Sequence, residues 1–137
     1  MAKMPKTWML SPKKDPKPKL SEALKAEVSS KAKKLVEAVL KPKHVKPMPE
    51  SYQFNYITDI WTKWQQGNFY FGATYACPGL TAIAPSFETR FARLEYCGGS
   101  RFSLSYMRHT GKWFELFSEL TLDECLDSVR DDSHFEP

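Results

Sequence analysis

A cysteine and a histidine late in the sequence are the side chains that come nearest to a catalytic pair. Cys97 precedes a Gly-Gly pair and His109 lies in the next predicted turn, and a thiol beside an imidazole is the arrangement of a cysteine nucleophile. The two groups would have to lie within hydrogen-bond distance, yet successive turns of a meander lie at opposite ends of the sheet. We therefore expect Cys97 to be a small residue at a strand end, and we predict no catalytic residues.

A second group of chemically capable side chains lies near the C-terminus. Asp131, Asp132 and His134 offer oxygen and nitrogen donors within four residues. A metal site would need further ligands from elsewhere in the chain, and His44 and His109 are the only other histidines. We interpret the segment as an acidic terminus, and we predict no metal and no other cofactor.

Charge is distributed unevenly along the chain. Residues 1–50 hold 13 lysines, no arginine and 5 acidic residues, giving +8. Residues 51–137 hold 7 basic and 11 acidic residues, giving −4, and they contain nearly all of the aromatic side chains. A basic arm joined to an acidic body favours a role in which the arm binds a negatively charged surface, on nucleic acid, on a partner or on the body itself.

Residues 1–19 are predicted to be an extended Lys/Pro-rich arm, because their prolines forbid a regular helix. Trp8, Met9 and Leu10 form a short apolar group in this arm, which we expect to dock into a groove on its own domain or a neighbour. Together with the turn after the fourth strand, the arm supplies the predicted contacts for a partner or a polyanion. These candidates are Trp8, Lys13, Lys14, Lys17, Lys19, Arg108, His109 and Lys112.

Residues 20–137 are predicted to form a single domain of the α+β class. Apolar residues spaced by three and four predict a helix at about 21–40, Pro42 and Pro47 are expected to end it, and a linker follows at 41–50. Alternating residues and turn signals predict a sheet over 52–118, and a capping box at Thr121–Glu124 begins a helix at 121–130. This order favours a five-stranded antiparallel meander covered by an N-terminal and a C-terminal helix.

The third predicted strand, at about 87–97, shows how the sheet faces are assigned. Strict alternation places Ala92, Leu94 and Tyr96 on one face and Phe91 and Arg93 on the other. The sheet's many tyrosines and phenylalanines then have two interpretations. They form the core beneath the helices, or some lie on an open face where they can stack bases, as in proteins that bind single strands.

A set of short motifs lies between residues 92 and 135: Ala92-Arg93-Leu94, Leu104, Tyr106-Met107-Arg108, Lys112-Trp113, Leu122-Asp123-Glu124, Asp131-Asp132 and His134-Phe135. With these motifs, the second half of the chain resembles a small bacterial cytosolic family that is catalogued as a domain of unknown function, family 3024. The first half is in keeping with it in the order of elements, including the lysine-rich helix that ends in Val39-Leu40-Lys41-Pro42. The resemblance implies no activity, only a soluble cytosolic protein.

The sequence therefore predicts binding rather than catalysis. Our first hypothesis is a non-catalytic protein-interaction or assembly module that binds a protein partner or itself, and the alternative is nucleic-acid binding through the lysine-rich arm. We expect no membrane segment and no small-molecule substrate. The spacing of Cys77, Cys97 and Cys125 favours free thiols in a reducing cytoplasm.

Overall fold

The computed structural model describes residues 19–45, 55–78 and 84–137. Helical backbone comes first, then five strands, then a second helical region. The helices are α1 (Glu22–Leu35), a π-helical segment (Val36–Leu40), α2 (Lys41–His44), α3 (Leu122–Asp131) and a 3-10 turn (Ser133–Phe135). The strands are β1 (Tyr56–Gln65), β2 (Asn68–Ala76), β3 (Ser86–Gly98), β4 (Arg101–Met107) and β5 (Trp113–Thr121).

The five strands form one antiparallel sheet in the order β1-β2-β3-β4-β5, so each strand pairs with its neighbour in sequence. One face of this sheet is covered by the helices, and the core lies between them. The predicted meander with an N-terminal and a C-terminal helix is confirmed. The core consists of apolar residues from both layers, among them Val28, Val36, Leu40, Ile60, Phe69, Phe71, Leu94, Phe102, Leu104, Val129 and Phe135.

Helix α1 begins at Ser21, whose side chain accepts a hydrogen bond from the Leu24 amide at 3.1 Å. It is fixed to the sheet by the Trp64 indole, which donates to the Ser29 hydroxyl at 2.9 Å. It contacts α3 through Lys31, whose ammonium lies 3.1 Å from an Asp123 carboxylate oxygen. These contacts hold both helices on the same face, and none of the helices in the described ranges lies on the other face.

Pro42 does not end the first helix, because helical backbone continues to His44. Proline lacks an N–H, and in a regular α-helix its ring clashes with the carbonyl four residues before it. Here the preceding turn is a π-helix in which the Lys41 amide donates to the Val36 carbonyl, five residues back. The wider turn accommodates the proline without interrupting the helix.

The prediction that Phe91 shares a face with Arg93 is wrong. Phe91 is buried in the core, with its ring centroid 6.1 Å from that of Phe71. The pairing of β2 with β3 shifts between Phe71 and Gly72, which marks a β-bulge at this point of β3. A bulge adds one residue and breaks the alternation, so two residues that strict alternation would place together point to opposite faces.

Within the described ranges, no helix combines the length and the apolar character that crossing a membrane would require.

A candidate binding face on the sheet

The face of the sheet opposite the described helices carries an unusual row of side chains. The pairing registers place Lys63, Tyr70, Arg93, Ser105 and Glu115 opposite one another on β1, β2, β3, β4 and β5 in turn. All five side chains therefore form one row across the whole sheet, because directly paired residues of neighbouring strands point to the same face. This is the opposite face to that of Phe69, Phe71 and Leu94.

A second row lies next to the first, where Trp61 of β1 pairs with Gly72 of β2, and Gly72 pairs with Arg90 of β3. The Trp61 ring lies directly on Gly72, since a Cβ built there would overlap the six-membered part of the indole. The indole N–H also donates to the Thr74 hydroxyl at 3.1 Å. Trp61 is thus held in place by a hydrogen bond and by a close backbone contact.

Arginines stack on the aromatic rings of this face. The Arg90 guanidinium carbon lies 4.4 Å from the centroid of the Tyr70 ring, and that of Arg93 lies 5.2 Å from the Trp113 ring. The two rings are neighbours, with centroids 5.8 Å apart and planes inclined by 48°. These distances are within the range of attractive cation–π contacts. We call Trp61, Tyr70, Arg90, Arg93 and Trp113 the arginine–aromatic cluster.

Within the described ranges, neither arginine of the cluster has a carboxylate within 4.0 Å. By contrast, Arg130 pairs with Asp127 and Asp131, and Arg101 lies 3.9 Å from Glu124. The Nε atom of Arg93 is buried and has no hydrogen-bond partner in the described part of the chain. A buried donor without a partner is costly and rare in folded proteins. Ring stacking therefore positions these two guanidinium groups without neutralising them.

The rest of the face is small or acidic. Ser103 and Ser105 of β4 are buried despite lying on this face, and Cys97 lies 3.1 Å from the Ser103 hydroxyl. The registers also place Glu88 and Glu95 on this face, in addition to Glu115 in the first row. Three acidic side chains thus accompany the three cations Lys63, Arg90 and Arg93, so the face is nearly neutral as a whole.

A cleft of about 370 Å³ opens at one side of the cluster. It is lined by Trp61, Thr62, Lys63, Glu88 and Arg90. Two cations, one carboxylate and the fixed indole ring therefore line this cleft. An aromatic wall with a few charged groups is typical of a site that binds a small group of a larger partner.

A family model matches residues 18–136, which is nearly the whole domain, and its description reads "Domain of unknown function (DUF3024)". The chain belongs to this family. No curated protein and no solved structure matches it. The function of this DUF3024 domain must therefore be argued from the geometry of its own residues.

Most of the residues predicted from sequence as contacts are in the arm, and of these only Lys19, which is exposed, lies within the described ranges. The other predicted group is in the turn between β4 and β5. Arg108 lies over the Phe114 ring at 5.2 Å, and its amide donates to the Lys112 carbonyl at 2.9 Å. Together with the exposed His109, they form a basic turn, and its binding role stays a prediction.

The side chains that could have formed a catalytic pair or a metal site do not form one. They lie at opposite ends of a strand, or they pair with a near neighbour in the sequence. Cys97 lies at the β3–β4 turn and His109 at the β4–β5 turn, at opposite ends of β4. His134 pairs with Asp132, with Nδ1 2.7 Å from a carboxylate oxygen, and its ring lies 4.8 Å from that of Tyr106. In the described part of the chain, no three His, Cys, Asp or Glu side chains lie close enough to hold a metal ion.

Sequence reasoning missed the arginine–aromatic cluster as a unit. Its members lie on four strands and come together only through the register of the sheet. One signal was available. At the positions that alternate with the core residues of β1, β2 and β5, the sequence has Trp61, Tyr70 and Trp113, where a solvated face usually has Lys, Thr or Glu.

Proposed function

We propose that this domain is a non-catalytic protein-interaction module and that its contact surface is the arginine–aromatic cluster. The observation that carries the proposal is a group of two tryptophans, a tyrosine and two arginines on one sheet face. Among the residues that the structure describes, no helix covers this face and no carboxylate pairs with either arginine. Trp, Tyr and Arg are the residues that dominate the binding energy of protein interfaces. Side chains of these types are enriched at interface centres, whereas Lys, Glu and Asp are depleted.

The cluster is also pre-organised for binding. Trp61 is fixed by Gly72 and Thr74, and the two arginines are fixed by the rings beneath them. A surface whose large side chains are already ordered loses less conformational entropy when a partner arrives. This favours recognition by a rigid face.

The basic arm is the second contact in this proposal. The segment 119–136 holds seven acidic residues and one arginine. The arm could bind this segment in its own chain or in a second copy, which would make the protein an assembly module. We place the protein in the cytoplasm, and its three free cysteines support a reducing compartment.

Nucleic-acid binding is the second candidate, favoured by stacked rings and cations on an open antiparallel sheet. Proteins that bind single strands combine aromatic platforms with positive charge. The three glutamates of the same face act against it, because a strand that crosses the sheet would bring its phosphates close to them. For this reason we rank a protein partner first.

The protein-interaction proposal is tested by affinity capture on the immobilised full-length protein. Proteins bound by the wild type are compared with those bound by a Trp61→Ser/Trp113→Ser variant and by a Phe114→Ser control. Phe114 is an exposed aromatic on the other face of the sheet. A true partner, purified and titrated, should bind the wild type and the control alike and lose at least about tenfold in affinity with the double variant. If every captured protein binds all three forms equally, the cluster is not the contact surface.

The nucleic-acid alternative is tested with a labelled single strand of about 20 nucleotides, titrated at about 50 and about 200 mM salt. The protein is used with and without residues 1–18. Binding through the arm must weaken with salt and disappear when the arm is removed. Tight binding of this kind would favour the alternative. Affinity that stays the same at the higher salt concentration and without residues 1–18 would eliminate it.

A further inference from the structure

We infer that the partner presents a carboxylate of an extended peptide segment to the cleft between Lys63 and Arg90. This inference rests on the proposed function and names the chemical class of the partner. It starts from the charge balance of the face. Lys63 of β1 and the two arginines of β3 are three cations on strands that only β2 separates, and no ion pair joins any of them to a carboxylate in the described ranges.

The geometry of the arginines favours a carboxylate over a neutral ligand. A guanidinium group that stacks on a ring keeps its N–H donors in the plane of the group, where they can form two parallel hydrogen bonds to a carboxylate. The Arg90 guanidinium lies over the Tyr70 ring, and Arg90 also lines the cleft. Lys63 lines the same cleft and adds a second positive charge.

The glutamates of the face limit how much negative charge the ligand can carry. Glu88 lies in the wall of the cleft, and Glu95 and Glu115 lie on the same face. A chain with a charge on every unit would meet these carboxylates wherever it crossed the sheet. A peptide can place a single carboxylate at the cleft and uncharged side chains elsewhere, so it matches the pattern and a nucleic acid does not.

The aromatic members of the cluster define what flanks the carboxylate. Trp61 lines the cleft beside it, and the neighbouring rings of Tyr70 and Trp113 lie on the same face of the sheet. Strands about 4.8 Å apart make a five-stranded sheet about 20 Å wide, and an extended peptide rises about 3.3 Å per residue. About six residues therefore cross the face, and we expect apolar or aromatic neighbours on both sides of the acidic residue.

The experiment is a selection from a random peptide library displayed on phage, with the full-length protein as the target. Peptides recovered on the wild type should share an acidic residue with apolar neighbours. The most enriched peptide is then synthesised with its acid and with the matching amide, Asp to Asn or Glu to Gln. Both forms are made with a free and with an amidated C-terminus. Comparing their affinities shows whether the protein binds a side-chain carboxylate or the terminal carboxylate.

Binding of the synthetic peptides is measured by fluorescence anisotropy. Replacing the acid by its amide, or Arg90→Gln in the protein, should each weaken binding by about tenfold or more, because each removes one partner of a charge-assisted contact. Lys63→Gln should weaken it by about threefold, as is usual for an exposed charge. The control Lys33→Gln/Lys34→Gln changes two exposed charges on α1 and should leave affinity within about twofold.

Three results would overturn the inference. They are selected peptides that lack an acidic residue, equal affinity for the acid and the amide, and an Arg90→Gln protein that binds like the wild type. A single-stranded oligonucleotide that binds more tightly than the peptide, and needs Arg90 to do so, would also overturn it. If a partner depends on Trp61 and Trp113 but not on Arg90, the interaction module stands and only the carboxylate assignment fails.

Discussion

The six-membered ring of the Trp61 indole lies against Gly72, and no other residue type would leave room for it at that position. A Cβ on residue 72 would overlap the six-membered ring, and Gly72 is not among the glycines with a positive φ. Glycine is therefore required here by the close approach of a side chain, and the contact places one aromatic member of the arginine–aromatic cluster.

We predict that Gly72→Ala displaces Trp61 and lowers the free energy of unfolding by about 1–3 kcal/mol, the usual cost of overpacking. The displaced indole should also lose its hydrogen bond to Thr74. Urea unfolding and tryptophan fluorescence measure both effects. In a Trp61→Ala background the same substitution should cost much less, because the clashing ring is gone. Equal costs in the two backgrounds would contradict the contact.

The hydrogen bond between Trp64 and Ser29 gives a second prediction. Ser29→Ala would leave the partly buried indole N–H without its partner, so we expect a loss of about 1–3 kcal/mol in the free energy of unfolding. Ser30→Ala is the matched control, because Ser30 is the next residue of α1 and is exposed. The control should stay within about 0.5 kcal/mol of the wild type. Equal effects of the two substitutions would contradict a stabilising role for this hydrogen bond.

The capping box of α3 gives a prediction about stability. Glu124 donates its amide to the Thr121 hydroxyl at 3.2 Å, and its carboxylate accepts from the Thr121 amide at 2.8 Å. Thr121→Ala should cost about 0.5–2 kcal/mol in urea unfolding, as for other N-caps. The exposed Thr110 is the control, since Thr110→Ala should have almost no effect. If Thr121→Ala leaves the free energy of unfolding unchanged, packing alone determines where this helix begins.

The same box predicts how stability depends on pH. The hydrogen bonds from the backbone and side chain of Thr121 lower the pKa of Glu124 below its ordinary value of 4.5, and Arg101 adds to this. Because the folded pKa lies below the unfolded one, the carboxylate stabilises the fold above the unfolded pKa. This contribution is lost as the pH falls through the folded pKa.

Thermal unfolding of the wild type and Glu124→Gln between about pH 6 and about pH 3 tests this dependence. The melting temperature of the variant should fall less steeply in acid. The variant should still lose some stability in acid, because hydrogen bonds from Arg130 and His134 lower the pKa of Asp131 and Asp132. Parallel curves for the two proteins would contradict the assignment to Glu124.

The cysteines should differ in reactivity. Burial, followed by the charges of Glu124 and Cys97, raises the pKa of Cys125 to about 12, and its side chain is fully buried. Cys97 is exposed. At about pH 8, a thiol reagent should modify Cys97 in the native protein and Cys125 only after unfolding, as peptide mass spectrometry can show. Modification of Cys125 at the rate of Cys97 would contradict this.

The sequence was sufficient to predict the layers of this domain. The stripe from Val28 to Leu40 repeats every three or four residues and predicts a helix packed on one side, and the capping box at Thr121 marks the start of the last helix. Gly98-Gly99 and the turn at His109 separate the last three strands. These signals depend only on neighbours along the chain, so they can be read without knowing the fold.

The sequence alone did not predict the position of Phe91 or the composition of the sheet face opposite the described helices. Alternation assumes that successive side chains point to opposite faces. The bulge in β3 breaks this pattern, so Phe91 lies in the core while Arg93 lies on the opposite face. A bulge depends on the hydrogen bonds of two strands, and no local pattern in one of them specifies it.

What the sequence determined by itself was therefore the α+β class, the order of the elements and which residues are apolar enough to be buried. Only the tertiary structure decided that Trp61, Tyr70, Arg90, Arg93 and Trp113 form one surface. The reason is physical. Periodicity is a property of each segment, whereas a surface shared by four strands depends on their pairing registers, which packing and bulges set for the sheet as a whole.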